Sequence, residues 1–323
     1  MAFLLSARTF LPLVVVLAVT GACSTDVPSP EAHRVKSEAD LVLPLDAYDL
    51  NGIERSIVQS ARYRLIERCL SDFGLSFSPH DTKPVAYPKN ASYLGWLGAK
   101  QVGTYGYSGP RGQAAEAAAA VTGIRGYSIP RSQEAVQVGT VKRFRGKAVP
   151  REGCDGQAQR TLNGNAPGPD GVAPAKPSIY KMLYAYMDDA AELAYQDKRV
   201  SAANSEWSTC MRRSGYGYTM PAEAEADKRW AGRGDTEAWR QPTADEIKTA
   251  LADERCRLQV DYSGARLAAY ADAQRTVIAR HEQEINRLKT LLRTRYANAL
   301  KVMSSAKQGG AQEHRTPIVI GLW

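Results

Sequence analysis

The chain has 323 residues, of which 44% are hydrophobic and 24% charged, and its net charge is +8. That is enough for one large domain or two ordinary ones around a real core. Beyond the N-terminal apolar run, nothing approaches the roughly 18 apolar residues of a membrane span, and the basic balance favours anionic surroundings such as phospholipid heads or phosphate-rich wall polymers.

The N-terminus sets the expected compartment. Met1 to Phe10 carries Arg8 and the free amine, and Leu11 to Val19 is apolar but too short to span a bilayer. It runs into Thr20-Gly21-Ala22-Cys23-Ser24, the layout of an export signal. Small residues directly before a cysteine resemble a bacterial lipobox, with Thr20 where Leu is usual. That resemblance implies cleavage of a 1–22 signal peptide, then a diacylglyceryl group and palmitate-type chains on Cys23. Ordinary secretion with Cys23 free is the other reading. Two or more chains on one cysteine anchor stably, where a single chain holds marginally. The expected location is the extracytoplasmic face of the cell membrane, with nucleic acid excluded as a partner by that location.

Of the five cysteines, Cys69, Cys154, Cys210 and Cys256 remain. An even number in an exported chain argues for two disulfides, in any of three connectivities. None lies in a C-x-x-C pair, so no metal is expected.

Residues 23–44 are polar and carry Pro28, Pro30 and Pro44, which reads as a flexible tether. An N-terminal unit, helical and loop-rich, is expected over 45–165. Asp46 to Phe73 predicts a helix striped by Ile53, Ile57, Ala61, Leu65 and Cys69, with Gly74 as its stop. Leu75 to Pro150 reads as turns with aromatic anchors around one alanine-rich helix, Gln113 to Val121, and a weak strand over Val136 to Phe144. The glycines and prolines of Leu162 to Ser178 mark the internal boundary.

A C-terminal helical unit is expected over 176–306. Ile179 to Ser214 predicts one long helix bent near Ser201 and stopped by Gly215. Pro221 to Gln241 is a polar connection anchored by Trp230 and Trp239. Pro242 followed by Thr243-Ala244-Asp245-Glu246 is a capping box. The helix it opens is expected to reach about Ala306, interrupted at most near Gly264. Ile278, Ile285 and Leu292 repeat at seven residues, which suggests an antiparallel helical hairpin or a short coiled coil; Arg295 and His281 fall in its seam. Residues 307–323 read as tail, whose apolar end, Pro317 to Trp323, is expected to dock on the body.

Two stretches echo each other. Gly74 and Phe77 follow Cys69 at five and eight residues; Gly215 and Tyr218 follow Cys210 at the same spacings. Both cysteines end a helix, and Glu152-Gly153-Cys154 loosely matches Glu254-Arg255-Cys256. A duplicated unit favours the pairs Cys69–Cys154 and Cys210–Cys256. The lipobox-like start, Trp207 to Pro221, the Pro242-Thr243 box and Cys256 resemble a group of uncharacterised secreted lipoproteins of actinobacteria. The resemblance implies location and architecture, and brings no catalytic or binding residue with it.

For chemistry, His33, His80, His281 and His314 show no metal-ligand spacing, and no nucleophile elbow, P-loop or dinucleotide pattern is present. The carboxylate pairs Asp188-Asp189 and Asp253-Glu254 could in principle serve as acid and base, but on helix faces they read as solvated charges. The 16 tyrosines and 5 tryptophans cluster near glycines. Flat rings with polar tips suit sugar rings or protein partners, which singles out Tyr105, Tyr107, Tyr216 and Tyr218. Arg287, Arg293 and Arg295 belong to a basic helical arm able to meet anionic lipid or wall polymer. The expectation is a mainly α, disulfide-stapled and monomeric lipoprotein with long irregular loops and a long C-terminal helical hairpin. It is expected to bind an envelope protein or wall polymer without enzymatic activity or a cofactor; the alternative is an envelope hydrolase whose site assembles from scattered residues.

Overall fold

The computed structural model describes residues 34–77, 83–122, 129–164, 166, 178–230 and 240–312. Cys23, the signal segment, His33, His80, His314, Trp239 and Pro317 to Trp323 lie outside the described residues. Within them the fold is mainly α, and the only β-structure is a two-residue ribbon, β1 (Arg143–Phe144) paired antiparallel with β2 (Lys147–Ala148).

The chain is docked from Val35 onward, which corrects the tether expected as far as residue 44. Val35, Leu41 and Leu43 are buried, as is Leu45 beyond them. The Asn90 amide donates to the Leu41 carbonyl at 2.9 Å, and the Leu45 N–H donates to Gln274 Oε1 at 2.8 Å. The cause is alternation: Leu41, Leu43 and Leu45 point inward, while Val42 between them is exposed.

Asn51 starts α1 (Gly52–Asp72), six residues later than expected from Asp46, because Pro44–Tyr48 forms a 3₁₀ turn. Asn51 Oδ1 accepts from the N–H groups of Ile53 and Glu54, and Glu54 reaches back to the Asn51 N–H, a complete capping box. Val58, Ala61, Ile66, Cys69 and Leu70 are buried, whereas Ile53, expected in the stripe, is exposed. The loop-rich region that follows holds short helices, α2 (Ala91–Leu94), α3 (Ala99–Tyr105), α4 (Gln113–Thr122) and α5 (Arg131–Glu134). Where a strand was expected, Ala135–Gly139 forms a π-helical turn packed on α6 (Gly153–Asn163). Gly139 and Gly153 meet so closely there that a Cβ on Gly139 would lie 2.1 Å from the Gly153 nitrogen.

The expected long helix is two: α7 (Ser178–Tyr195) and α8 (Lys198–Arg213). Asp197 breaks them apart by capping α8 through the Arg199 N–H at 2.8 Å. After the short α9 (Pro221–Glu225), Thr243 Oγ1 accepts from the Glu246 N–H and opens α10 (Ala244–Gln259). The chain then breaks at Asp261, three residues before Gly264, and again at His281, giving α11 (Tyr262–Arg280) and α12 (Glu282–Gln312).

The C-terminal helices pack both on one another and on the N-terminal part. α11 lies along α7, while α12 lies along α1 and α6, and α10 packs on α3. Ile285, Leu288 and Leu292 supply the buried edge of α12. One apolar core therefore runs from Val35 to Ala299, and the units expected at 45–165 and 176–306 share it.

Candidate binding surface

Both staples form as the repeat suggests: Cys69 pairs with Cys154 and Cys210 with Cys256, each with Cα atoms 5.6 Å apart. The echo has a backbone cause. Leu75 N–H donates to the Leu70 carbonyl at 3.0 Å across Gly74, and Tyr216 N–H donates to the Met211 carbonyl at 2.9 Å across Gly215. Gly74 and Gly215 take positive φ, +67° and +89°, as this six-to-one helix closure requires. Each cysteine thus sits one residue before the carbonyl that ends its helix.

Around the second staple the expected tyrosines are tied into the scaffold. Asp253, fully buried, accepts from Trp207 Nε1 at 2.7 Å, Arg257 Nε at 2.7 Å and Nη2 at 2.9 Å, and the Tyr107 hydroxyl at 3.1 Å. The buried Arg257 also donates to Glu225 at 2.6 Å and to the Gly95 carbonyl at 2.8 Å. Tyr107 stacks on Trp230, and its N–H donates to Glu246. Burial, then the Asp253 charge, drives the Tyr107 phenol far above its ordinary range. The Tyr218 hydroxyl donates to Asp227 at 2.6 Å and accepts from Arg229 at 2.8 Å; burial pushes it up to about 12. Tyr216 stacks on Tyr218 with ring centres 6.4 Å apart. Tyr105 is half-buried at the end of α3. Of the expected aromatic surface, Tyr107 and Tyr218 have their hydroxyls committed to the protein.

The basic arm divides. Arg287 is exposed on α12. Arg293 pairs with Glu54 of α1. Arg295 is 2% exposed, and it donates to Gln159 Oε1 at 2.7 Å and to Asn163 Oδ1. It is therefore removed from the expected surface, because the seam position that the heptad spacing assigns to it faces α6. Asp188 and Asp189 are exposed on α7, and His281 packs on the Tyr186 ring at 5.1 Å.

A tyrosine groove elsewhere was not expected. Tyr93, Tyr195, Tyr270, Arg266 and Glu192 line an open depression of about 610 Å³. Arg266 organises it from beneath, 8% exposed, donating to the Tyr93 carbonyl at 2.8 Å and the Tyr270 hydroxyl at 3.1 Å. Its guanidinium carbon lies 5.2 Å from the Tyr270 ring centre, 5.6 Å from Tyr262 and 6.0 Å from Tyr195. Tyr93 and Tyr270 meet tilted, with centres 5.9 Å apart. Tyr195 is 57% exposed, so its ring is offered to solvent. Burial, then Asp188, pushes the Tyr93 phenol up to about 12, which keeps it a neutral hydroxyl at ordinary pH.

Such a surface presents one exposed ring, Tyr195, beside the half-buried Tyr93 and the exposed Glu192, while the Tyr270 ring is 3% exposed and packed beneath them. The signal that could have found it is Tyr262, Arg266 and Tyr270 at four-residue steps on one helix, which places a guanidinium between two rings. Tyr93 and Tyr195 are too distant in sequence to be grouped with them. No family model matches the chain, nor does any curated protein or solved structure.

Proposed function

We propose that this protein is a lipid-anchored extracytoplasmic module, held by Cys23, that binds a glycan-containing wall polymer through the Tyr93–Tyr195–Tyr270 groove. The observation that carries the reading is the Arg266-centred ring cluster, with Tyr195 exposed above it. Sugar rings stack on flat aromatic faces and hydrogen-bond to groups at their edges. The groove is preset, because Arg266 holds the Tyr93 backbone and the Tyr270 hydroxyl through made hydrogen bonds. Binding therefore spends little on ordering side chains. The positive net charge adds attraction to an anionic polymer. The fully buried Asp253 is occupied by Trp207, Tyr107 and Arg257, which favours scaffold over acid–base chemistry for it.

Two measurements test the proposal. Cys23→Ser should move the protein from the membrane fraction to the medium; retention in the membrane contradicts the anchor. Full-length protein in detergent should cosediment saturably with purified bacterial cell wall, and soluble wall fragments should compete. Absence of saturable binding refutes the groove's role.

A further inference from the structure

A second concavity, a cleft of about 530 Å³, opens at the N-terminal end of α1. Leu41, Leu50, Pro84, Val85, Tyr87 and Ala120 contribute its apolar wall. Its volume is that of a small-ligand site, within the usual range of about 300–1,000 Å³.

Four acids line it: Glu38 is exposed to solvent, and the other three are engaged by the protein. Asp49 accepts from the Leu50 N–H at 2.7 Å, from Lys89 Nζ at 3.0 Å and from Arg55 Nη2. Asp46 accepts from the Leu43 N–H and Asn90 Nδ2, each at 2.8 Å, and pairs with Lys89 at 2.7 Å. Glu54 takes the Asn51 N–H at 2.9 Å and Arg293. These three acids are neutralised and supplied with donors by the protein itself. By contrast, Arg55 Nε and Gln59 Nε2 are buried with no hydrogen-bond partner among the described residues, and both residues line the cleft. A buried donor without an acceptor carries its full desolvation cost. Two of them one helical turn apart on α1 make a wall that lacks an acceptor.

We propose that this cleft binds a carboxylate carried on a compact apolar body, as at the end of a short peptide or a short fatty acid. The carboxylate oxygens accept from Arg55 Nε and Gln59 Nε2. Both nitrogens are shielded from solvent although their residues line the cleft, so the Arg55 and Gln59 side chains shift outward to meet the ligand. The apolar body lies against Leu41, Pro84 and Val85. The positive end of the α1 dipole, at Leu50 to Gly52, faces the same space. The site stands apart from wall binding, so its test neither needs nor decides the tyrosine groove.

The test titrates full-length protein in detergent with N-acetyl-leucine and with octanoate, each against its own amide, by calorimetry. At least one acid should bind tenfold or more tightly than its amide, and the tighter acid identifies peptide or lipid as the source. Gln59→Leu should weaken that acid about fivefold with the Tm unchanged or raised, since it removes a donor that makes no bond. Gln59→Glu should satisfy Arg55 Nε internally, raise the Tm and abolish acid binding, which covers a failure of the leucine variant to fold. Equal binding of acid and amide, no acid binding at millimolar concentration, or full acid affinity in Gln59→Glu would overturn the proposal.

Discussion

Replacing Asp253 with alanine removes the acceptor on which one side of the second staple rests. The carboxylate is fully buried and holds Trp207, Tyr107 and two nitrogens of Arg257. Arg257, with its side chain 3% exposed, would keep only the Gly95 carbonyl and Glu225, itself half in solvent. Breaking a buried pair by removing one partner costs about 3–5 kcal/mol, and the orphaned Trp207 N–H adds to it. An overall loss of about 4 kcal/mol is expected, near the upper end for a single substitution. Urea unfolding under non-reducing conditions, followed by circular dichroism, should show the midpoint falling by about 1–2 M. Combined with Arg257→Ala in a double-mutant cycle, the coupling should be about 2 kcal/mol or more. A loss under about 1 kcal/mol for Asp253→Ala, with coupling near zero, would mean that water reaches the network and that the buried ion pair is not what orders this region.

Other substitutions separate the elements. Arg287→Glu should leave stability within about 0.5 kcal/mol, whereas Arg295→Glu should cost at least about 3 kcal/mol by burying a carboxylate among Gln159 and Asn163, read from the same urea titration. Similar behaviour of the two would refute the burial of Arg295. Glu254 is buried, and burial raises its carboxyl above the ordinary value. The unfolded carboxyl ionises more readily, so the folded state is penalised above both values and relieved when both forms are protonated. Glu254→Gln should therefore stabilise the protein at pH 7, and the gain should fade as pH falls through the raised folded value and be gone below about 4; a gain independent of pH would contradict this. The chain-entropy model assigns about 4 kcal/mol to the Cys210–Cys256 closure and slightly more to Cys69–Cys154, whose sequence separations are 46 and 85. Replacing either pair with alanines should lower the Tm by several degrees, and free thiols in the unreduced protein would refute the staples outright.

The staples were readable because three local signals coincided at each: a cysteine, a glycine five residues on, and a striped helix before them. Gly74 and Gly215 then close the two helices with the same backbone bond. Helix existence was legible for the same reason, while joints were not. Asp197 and Asp261 break helices whose apolar pattern runs on through them, and a cap or a left-handed residue overrides periodicity there. The tether was misjudged at its end because its prolines outweighed the alternation of Leu41, Leu43 and Leu45. Arg295 shows a legible signal given too little weight: the seven-residue spacing put it in a seam, yet its charge suggested a surface. The tyrosine groove depends on Tyr93, Tyr195 and Tyr270 converging from three elements, and convergence of that kind leaves no trace in local spacing.

Wall binding by the groove is decided most directly by comparing two tyrosines. Tyr195→Ala should weaken cosedimentation with purified cell wall about fivefold or more, the loss of one stacking ring at about 1–2 kcal/mol, with the Tm unchanged because the ring is mostly exposed. Tyr216→Ala, outside the groove, should bind as the wild type does. Full binding by Tyr195→Ala, or an equal loss in both variants, would contradict the account.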